Sequence, residues 1–371
     1  MGKKNIVIVG GGGAGANAAR ALSRTLDSSK YQLILINPLP YRIWLIATLR
    51  LSVSTQDDLQ KSIMIGYDKV FVDGKGKFVQ GTVTTFESNK QGGGSVTLES
   101  GEKIDYHILA LTQGATWTGP PGFPRTDDGV KEHVKSLQTK FSKAKDIVLV
   151  GGGAVGFELA GEIKDIWPTK KVTIVHGENH LLNPAYPDKM RKAADAAMRK
   201  RGIDLILGDF VDFSDTSEVE GITTRSGHAL KSADLVVQTR GPRPNTEFVA
   251  ASIGAVSLGD NGLIRIRPTL QLADYDDIFA AGDVIDWKEQ KQAAKSSVHG
   301  LLLAANVQAF LNGGKMKDYK GATEMIVLTN GKDDGLVYFD VLWGIMLGGW
   351  FARLVKSRGL LVPMFHGEQG V

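Results

Sequence analysis

The chain has 371 residues, 42% hydrophobic and 23% charged, ordinary for a globular enzyme and enough for two or three domains. Against 40 acidic residues, 44 lysines and arginines leave a formal charge of +4, far from the dense basic footprint that nucleic acid requires of a partner. Cysteine is absent, which excludes structural disulfides, thiolate metal centres, iron–sulfur clusters and any dithiol relay.

Lys4 leads straight into an apolar run at 5–9, so no secretory leader is read and an intracellular place is expected, cytoplasmic or peripheral to an organelle membrane. Gly2 raises N-myristoylation, but residue 6 is Ile6 rather than Ser or Thr, and lipidation is not expected. The β-branched run 6–9 reads as a strand, 10–15 as a glycine turn, 17–26 as a helix and 33–36 as a second strand. The order returns at 147–150, 151–156, 157–166 and 172–175, so the βαβ unit of a parallel sheet occurs twice. Between the copies, 78–86 and 95–98 read as antiparallel strands joined by a turn at 92–94, and 108–112 as a buried strand. The Gly- and Pro-rich segment 114–124 marks one boundary, and 241–245, after a strand at 235–239, marks another. A strand at 278–281, a helix over 292–311 and a last unit opening with a strand at 325–328 complete the chain.

This pattern predicts an α/β fold: two Rossmann-like dinucleotide-binding domains, the second inserted in the first, plus a C-terminal α+β domain. Residues 1–113 and 242–310 would form the first, 114–241 the second and 311–371 the third.

The first cluster fits G-x-G-x-x-G as Gly10, Gly12 and Gly15, with Gly11, Gly13 and Ala14 between. In that motif one glycine makes the tight turn, one lets the backbone approach a pyrophosphate and one lets helix pack on strand; the pyrophosphate sits at the helix N-terminus. The ribose-binding acid expected about 20 residues on is replaced by Asn37, which can still hydrogen-bond a hydroxyl. The second cluster fits as Gly151, Gly153 and Gly156, with Ala154 and Val155 inside it, and its second strand ends at His176. With no carboxylate there, a 2′-phosphate is not repelled, and a charged His176 would favour it. A plain loop histidine would not, so NADH and NADPH both stand as donors.

The strand ending Ala281-Gly282-Asp283 resembles the second FAD fingerprint of two-domain flavin disulfide-reductase-type proteins. The segment 109–114 (LALTQG), with Thr112 and the intruding Gln113, resembles their connecting A-T-G segment. Gly241 to Asn245 (GPRPN), with Arg243, resembles the G-x-R-P-N that closes the nicotinamide domain. The stretch GGGAVGFELAGEI followed by VTIVHGENHLL is similar to type II NADH dehydrogenases and apoptosis-inducing-factor-like proteins. TNGKDDGL (329–336) and RLVKSRGLLV (353–362) resemble the ferroptosis suppressor, mitochondrion-associated group within them. The resemblance covers nearly the whole chain and implies an FAD-containing NAD(P)H:quinone oxidoreductase. By position it implies that Gly10–Gly15 wrap the FAD pyrophosphate, that Arg50 contacts the flavin nucleotide, that Val83 holds the adenine through its backbone and Asp283 the ribityl chain. It also implies that Glu158 lies near the nicotinamide.

Flavin chemistry belongs to the cofactor; the protein must orient the rings and stabilise charge near N1 of the reduced flavin. Lys291, between Asp283 and the long helix, is the candidate cation, against its reading as a solvated loop lysine. Glu158 and Glu162 share one helix face, and Glu158, read as lying in the first turn, is the one assigned a functional role. Without cysteine the acceptor is a quinone, oxygen or a separate carrier. The apolar run 336–355, broken by Asp340, Arg353 and three glycines, is no membrane span but can line a quinone tunnel or touch a membrane surface, against its plain readings as a strand or helix packing a third domain or as a homodimer contact. The alternatives are a slowly turning redox-sensing signalling flavoprotein and an NAD(P)H oxidase. His176 and His180 have metal-ligand spacing but no further nearby ligands, and no metal is expected.

Overall fold

The computed structural model describes residues 2–54, 58–89, 92–213 and 215–371. The chain starts with strand β1 (Lys4–Val9), helix α1 (Gly13–Thr25) and strand β2 (Tyr31–Asn37). Helix α2 (Leu45–Val53), β3 (Lys77–Gln80) and β4 (Ile108–Leu111) follow. After α3 (Asp127–Lys143) the pattern repeats as β5 (Asp146–Val150), α4 (Ala154–Ile166) and β6 (Lys171–His176). Next come α5 (Asp188–Lys200), β7 (Asp204–Leu207), β8 (Ser217–Glu218) and β9 (Leu235–Gln238). The chain then returns to the first sheet with β10 (Ile278–Ala280) and the long α6 (Ala293–Leu311). It closes with β11 (Met325–Thr329), β12 (Gly335–Phe339), β13 (Ile345–Leu347) and α7 (Val362–Gln369).

The first sheet has the order β10-β4-β1-β2-β3 and is parallel throughout. The second has the order β7-β6-β5-β9-β8, parallel except for its β8 edge. Helices cover such sheets on both faces, so their strands must be apolar on every residue rather than alternately. Accordingly Ile6–Ile8, Ile108–Leu111, Ile147–Leu149 and Leu235–Val237 are all sealed from solvent. Both βαβ units were therefore legible as unbroken β-branched runs.

The expected strand at 78–86 proves to be two. The chain turns at Gly81 and Thr82, so that Lys77–Gln80 joins the first sheet while Val83–Ser88 pairs antiparallel with Gly94–Leu98. The two expected boundary segments meet: Ala115–Thr116 pairs antiparallel with Arg243–Pro244. Gln113 Nε2 donates to the Asn245 carbonyl at 3.0 Å, tying the two crossovers together.

The three-stranded antiparallel C-terminal sheet carries the apolar run 336–355 on two strands and the helical turns after them, including a π-helical stretch at Arg353–Ser357. Leu342, Trp343, Trp350 and Leu354 stand exposed on this unit. Among the described residues, no helix is long and apolar enough to cross a membrane.

Candidate functional site: two glycine cradles sharing a wall

The two units repeat in hydrogen-bond detail. At the end of β1, Gly10 takes φ +98°, and at the end of β5, Gly151 takes φ +124°, a region that favours glycine. Gly10 N–H donates to the Ile36 carbonyl at 2.8 Å and Gly151 N–H to the Val175 carbonyl at 2.9 Å. Gly11 N–H donates to Asn37 Oδ1 at 2.9 Å, where Gly152 N–H donates to His176 Nδ1 at 3.1 Å. Thr112 Oγ donates to the Gly10 carbonyl and Thr239 Oγ to the Gly151 carbonyl, both at 2.7 Å. Asn37 and His176 thus do the same local job, holding a glycine turn against the second strand.

Both helices start inside their glycine clusters, and no side chain caps either one. Their first N–H groups therefore keep the partial positive charge that suits a pyrophosphate. The glycines divide into two kinds. A Cβ on Gly15 would overlap the Gly10 carbonyl, and one on Gly156 the Gly151 carbonyl; these positions serve packing. A Cβ on Gly12 or Gly153 would meet nothing within 4 Å, so the open side of each turn is available to a ligand.

A cavity of 940 Å³ opens over the first turn. Gly10, Gly11, Gly12, Gly13, Ala14, Asn37, Val83, Thr112 and Asp283 line it, with Arg42, Tyr67 and Trp117. A second, of 810 Å³, opens over the other turn and is lined by Gly151, Gly153, Ala154, Val155, Glu158, His176, Gly241 and Lys291. Asp283 and Trp117 line both cavities, so the two sites meet at that wall. Ser296 Oγ donates to Asp283 Oδ1 at 3.2 Å, and burial pushes the Asp283 carboxyl above its usual range.

Three expected placements need correction. Arg50 does not line the first cavity: its Nε and Nη2 grip both oxygens of Glu162 at 2.8 and 2.7 Å, and Nη2 and Nη1 donate to the Ser357 and Arg358 carbonyls. The arginine that does line it is Arg42. Arg243 lines neither cavity; it is exposed in the short pairing with Thr116, and Arg240 faces the second cavity instead. Glu158 lies beyond the first turn because α4 begins at Ala154. Its Oε1 is 2.6 Å from Lys356 Nζ and accepts from Thr329 N–H at 2.9 Å, so it joins α4 to the C-terminal unit.

Lys291 borders the second cavity with two donor contacts, to the Ile285 carbonyl at 2.8 Å and the Trp287 carbonyl at 3.3 Å; burial lowers its pKa. His176 is held neutral: its Nδ1 accepts an N–H, Nε2 faces the Leu182 carbonyl at 3.3 Å, and burial lowers its pKa. It supplies no charge for a 2′-phosphate. His180 turns away to Asp195 at 2.6 Å. Sequence reading also missed Glu178, Asp209 and Lys356 on the second cavity. Lys356 at least sits in the RLVKSR stretch that carried the resemblance; Glu178, two residues past the expected acid position, had no signal of its own.

The chain is 45% identical over 312 residues to the FAD-dependent oxidoreductase FVFD30 of Flammulina velutipes, covering 84% of this chain and 96% of that one. It is 29% identical over 377 residues to Ferroptosis suppressor protein 1 of Xenopus tropicalis, covering 98% and 96%. Its fold matches that of the sulfide:quinone oxidoreductase from Aquifex aeolicus at a TM-score of 0.75, with 18% identity over 99% of this chain and 92% of that one. The sequence profile of the pyridine nucleotide-disulphide oxidoreductases matches residues 4–300, a span that takes in both glycine turns and Asp283. Though it has no cysteine to make the disulphide of that name, the chain belongs to the pyridine nucleotide-disulphide oxidoreductase family.

Proposed function

We propose that this oxidoreductase takes hydride from a nicotinamide nucleotide onto FAD and passes the electrons to a quinone. Its cofactors are FAD and NAD(P)H. The observation that carries the reading is the shared wall: two dinucleotide-sized cavities, each built on an uncapped helix N-terminus, meet at Asp283 and Trp117. When bound, FAD supplies the hydride-accepting and electron-releasing ring. We assign residues 1–113 and 242–310 to holding it, with Gly10–Ala14 at the diphosphate, Val83 toward the adenine end and Asp283 at the ribityl chain. Residues 114–241 hold the nicotinamide nucleotide, with Gly151–Val155 at its diphosphate. Glu158, its charge answered by Lys356, and Lys291 are the polar groups we place near the reacting rings.

Glu178 and Asp209 line the second cavity with Arg240, which donates to the Val211 carbonyl at 2.7 Å, and we assign this part of it to the adenosine. Hydrogen bonds from Ser226 and Thr224 hold the Asp209 carboxyl well below the usual range. We place the adenosine ribose against these two carboxylates, which disfavour a 2′-phosphate even with Arg240 on the same lining and Arg191 3.8 Å from Glu178, so the donor we assign is NADH.

The absence of cysteine leaves no dithiol to receive electrons, and the second cavity has an apolar flank in Met325–Leu328, Leu361 and Met364. That flank suits a quinone. We assign the approach of a lipid-borne acceptor to the C-terminal unit, where Leu342, Trp343, Trp350 and Leu354 stand exposed, which liposome co-sedimentation tests. The test of the main reading is optical. NADH should bleach the purified yellow protein, and a short-chain quinone should restore its colour faster than air does. Bleaching reversed by oxygen alone would refute the quinone assignment, and a protein that cannot be loaded with FAD would refute the whole reading.

A further inference from the structure

We propose that Arg42 grips the FAD diphosphate across from the glycine turn, and that Glu368, in the last helical turn of the chain, is its counter-ion. This rests on reading the first cavity as the FAD site. Arg42 is 5% exposed, yet it lines that cavity. Its Nη2 lies 3.5 Å from where a Cβ on Gly13 would stand, which places it over the first turn of α1. Its Nη1 is 2.7 Å from Glu368 Oε2. The guanidinium also lies over the rings of Trp44 and Phe365, 5.4 and 5.2 Å from their centroids, and those rings stack on each other at 5.1 Å. Glu368 is itself placed, because its Oε1 accepts from Ser297 Oγ at 2.6 Å.

A guanidinium has five N–H donors and is costly to bury unless its charge is answered. Glu368 answers it from one side. The side toward α1 faces the position where the G-x-G-x-x-G turn receives a diphosphate, and a planar fork suits phosphate oxygens. Phe365 and Glu368 both belong to α7, so one helix supplies both a ring and a counter-charge to the Arg42 guanidinium.

The experiment uses the full chain and reads FAD dissociation constants by flavin fluorescence, with far-UV circular dichroism as the fold control. The double variant Arg42→Met/Glu368→Met removes both charges together and leaves neither orphaned. It should fold and bind FAD about tenfold or more weakly, the loss of a charge-assisted contact. Glu368→Gln alone should keep wild-type FAD affinity or improve on it, and FAD should raise its thermal midpoint by more than it raises that of the wild type, since phosphate then supplies the missing charge. Wild-type FAD affinity in the double variant would reduce the pair to a structural tie and overturn the proposal. So would Glu368→Gln weakening FAD as much as the double variant does. Should the double variant not fold, Arg42→Lys decides: it keeps the charge but loses the fork, so several-fold weaker FAD binding supports the proposal and unchanged binding overturns it. A wild-type chain that takes no FAD defeats the functional reading itself, a result distinct from any of these.

Discussion

Gly12 and Gly153 offer a sharp probe of both cradles because the protein itself does not need them. Each has an ordinary negative φ, −69° and −73°, and open space where a Cβ would go. Gly153→Ala should therefore fold as wild type and keep FAD, while the rate of flavin reduction at low NADH falls about tenfold; stopped-flow reduction checks this. Gly12→Ala should instead lose FAD. On the proposed placement of the adenosine, Glu178→Gln removes a carboxylate from the lining of the second cavity and should raise the NADPH-to-NADH ratio of kcat/KM by roughly fivefold. Steady-state assays with both nucleotides check it; an unchanged ratio would leave Asp209 as the discriminating acid. The motif foretold the division among the glycines, while the lining of the adenosine end was not visible in it. G-x-G-x-x-G assigns its third glycine to packing and its second to the ligand, and the structure agrees: Gly15 and Gly156 leave no room for a Cβ, while Gly12 and Gly153 leave room for a ligand.

Arg50 joins three elements: α2 carries it, α4 answers it with Glu162, and the backbone at Ser357 and Arg358 takes its remaining donors. Both side chains are almost fully buried. Arg50→Met should destabilise the fold by about 3–5 kcal/mol, because Glu162 is left charged and unpaired, and Arg50→Met/Glu162→Met should recover most of that. Denaturant unfolding checks both, and an equally unstable double variant would show that the carbonyl contacts dominate. The ATLR stretch predicted a charged group of importance and misplaced its partner. Sequence spacing cannot pair residues 112 positions apart across two helices, and family position carried no information about which way the side chain turned. The strand at 78–86 failed for a related reason: Gly81 interrupts an apolar run, and only the competing edges of two sheets decided where each half would pair.

Stability of the whole molecule should follow two half-buried histidines. Burial lowers the pKa of His176, and burial with Lys4 nearby lowers that of His107. A depressed folded-state pKa means that the unfolded chain takes up the proton first. Their contribution is then fully present above the unfolded value of about 6.5 and is lost as pH falls below it toward the folded pKa. The thermal midpoint should drop between pH 7.5 and 5.5. His176→Asn should flatten that drop, since an amide oxygen can accept the Gly152 N–H just as Asn37 accepts that of Gly11. Thermal melts across pH check this, and a His176→Asn profile as steep as the wild type's would exclude His176 as the cause.

The amino-acid order by itself determined the two βαβ units, the glycine turns, the Asp283 strand end and the exclusion of thiol chemistry, because these rest on local backbone demands and on composition. Continuous apolar runs, positive-φ glycines and a missing residue type need no tertiary partner to be read. The tertiary structure alone decided that Asp283 and Trp117 form a wall common to two cavities, that His176 is neutral, that Glu158 meets Lys356 and that Arg42 rather than Arg50 faces the first cavity. Each of these depends on groups brought together from distant parts of the chain, and burial, charge pairing and the direction of a long side chain are properties of that meeting.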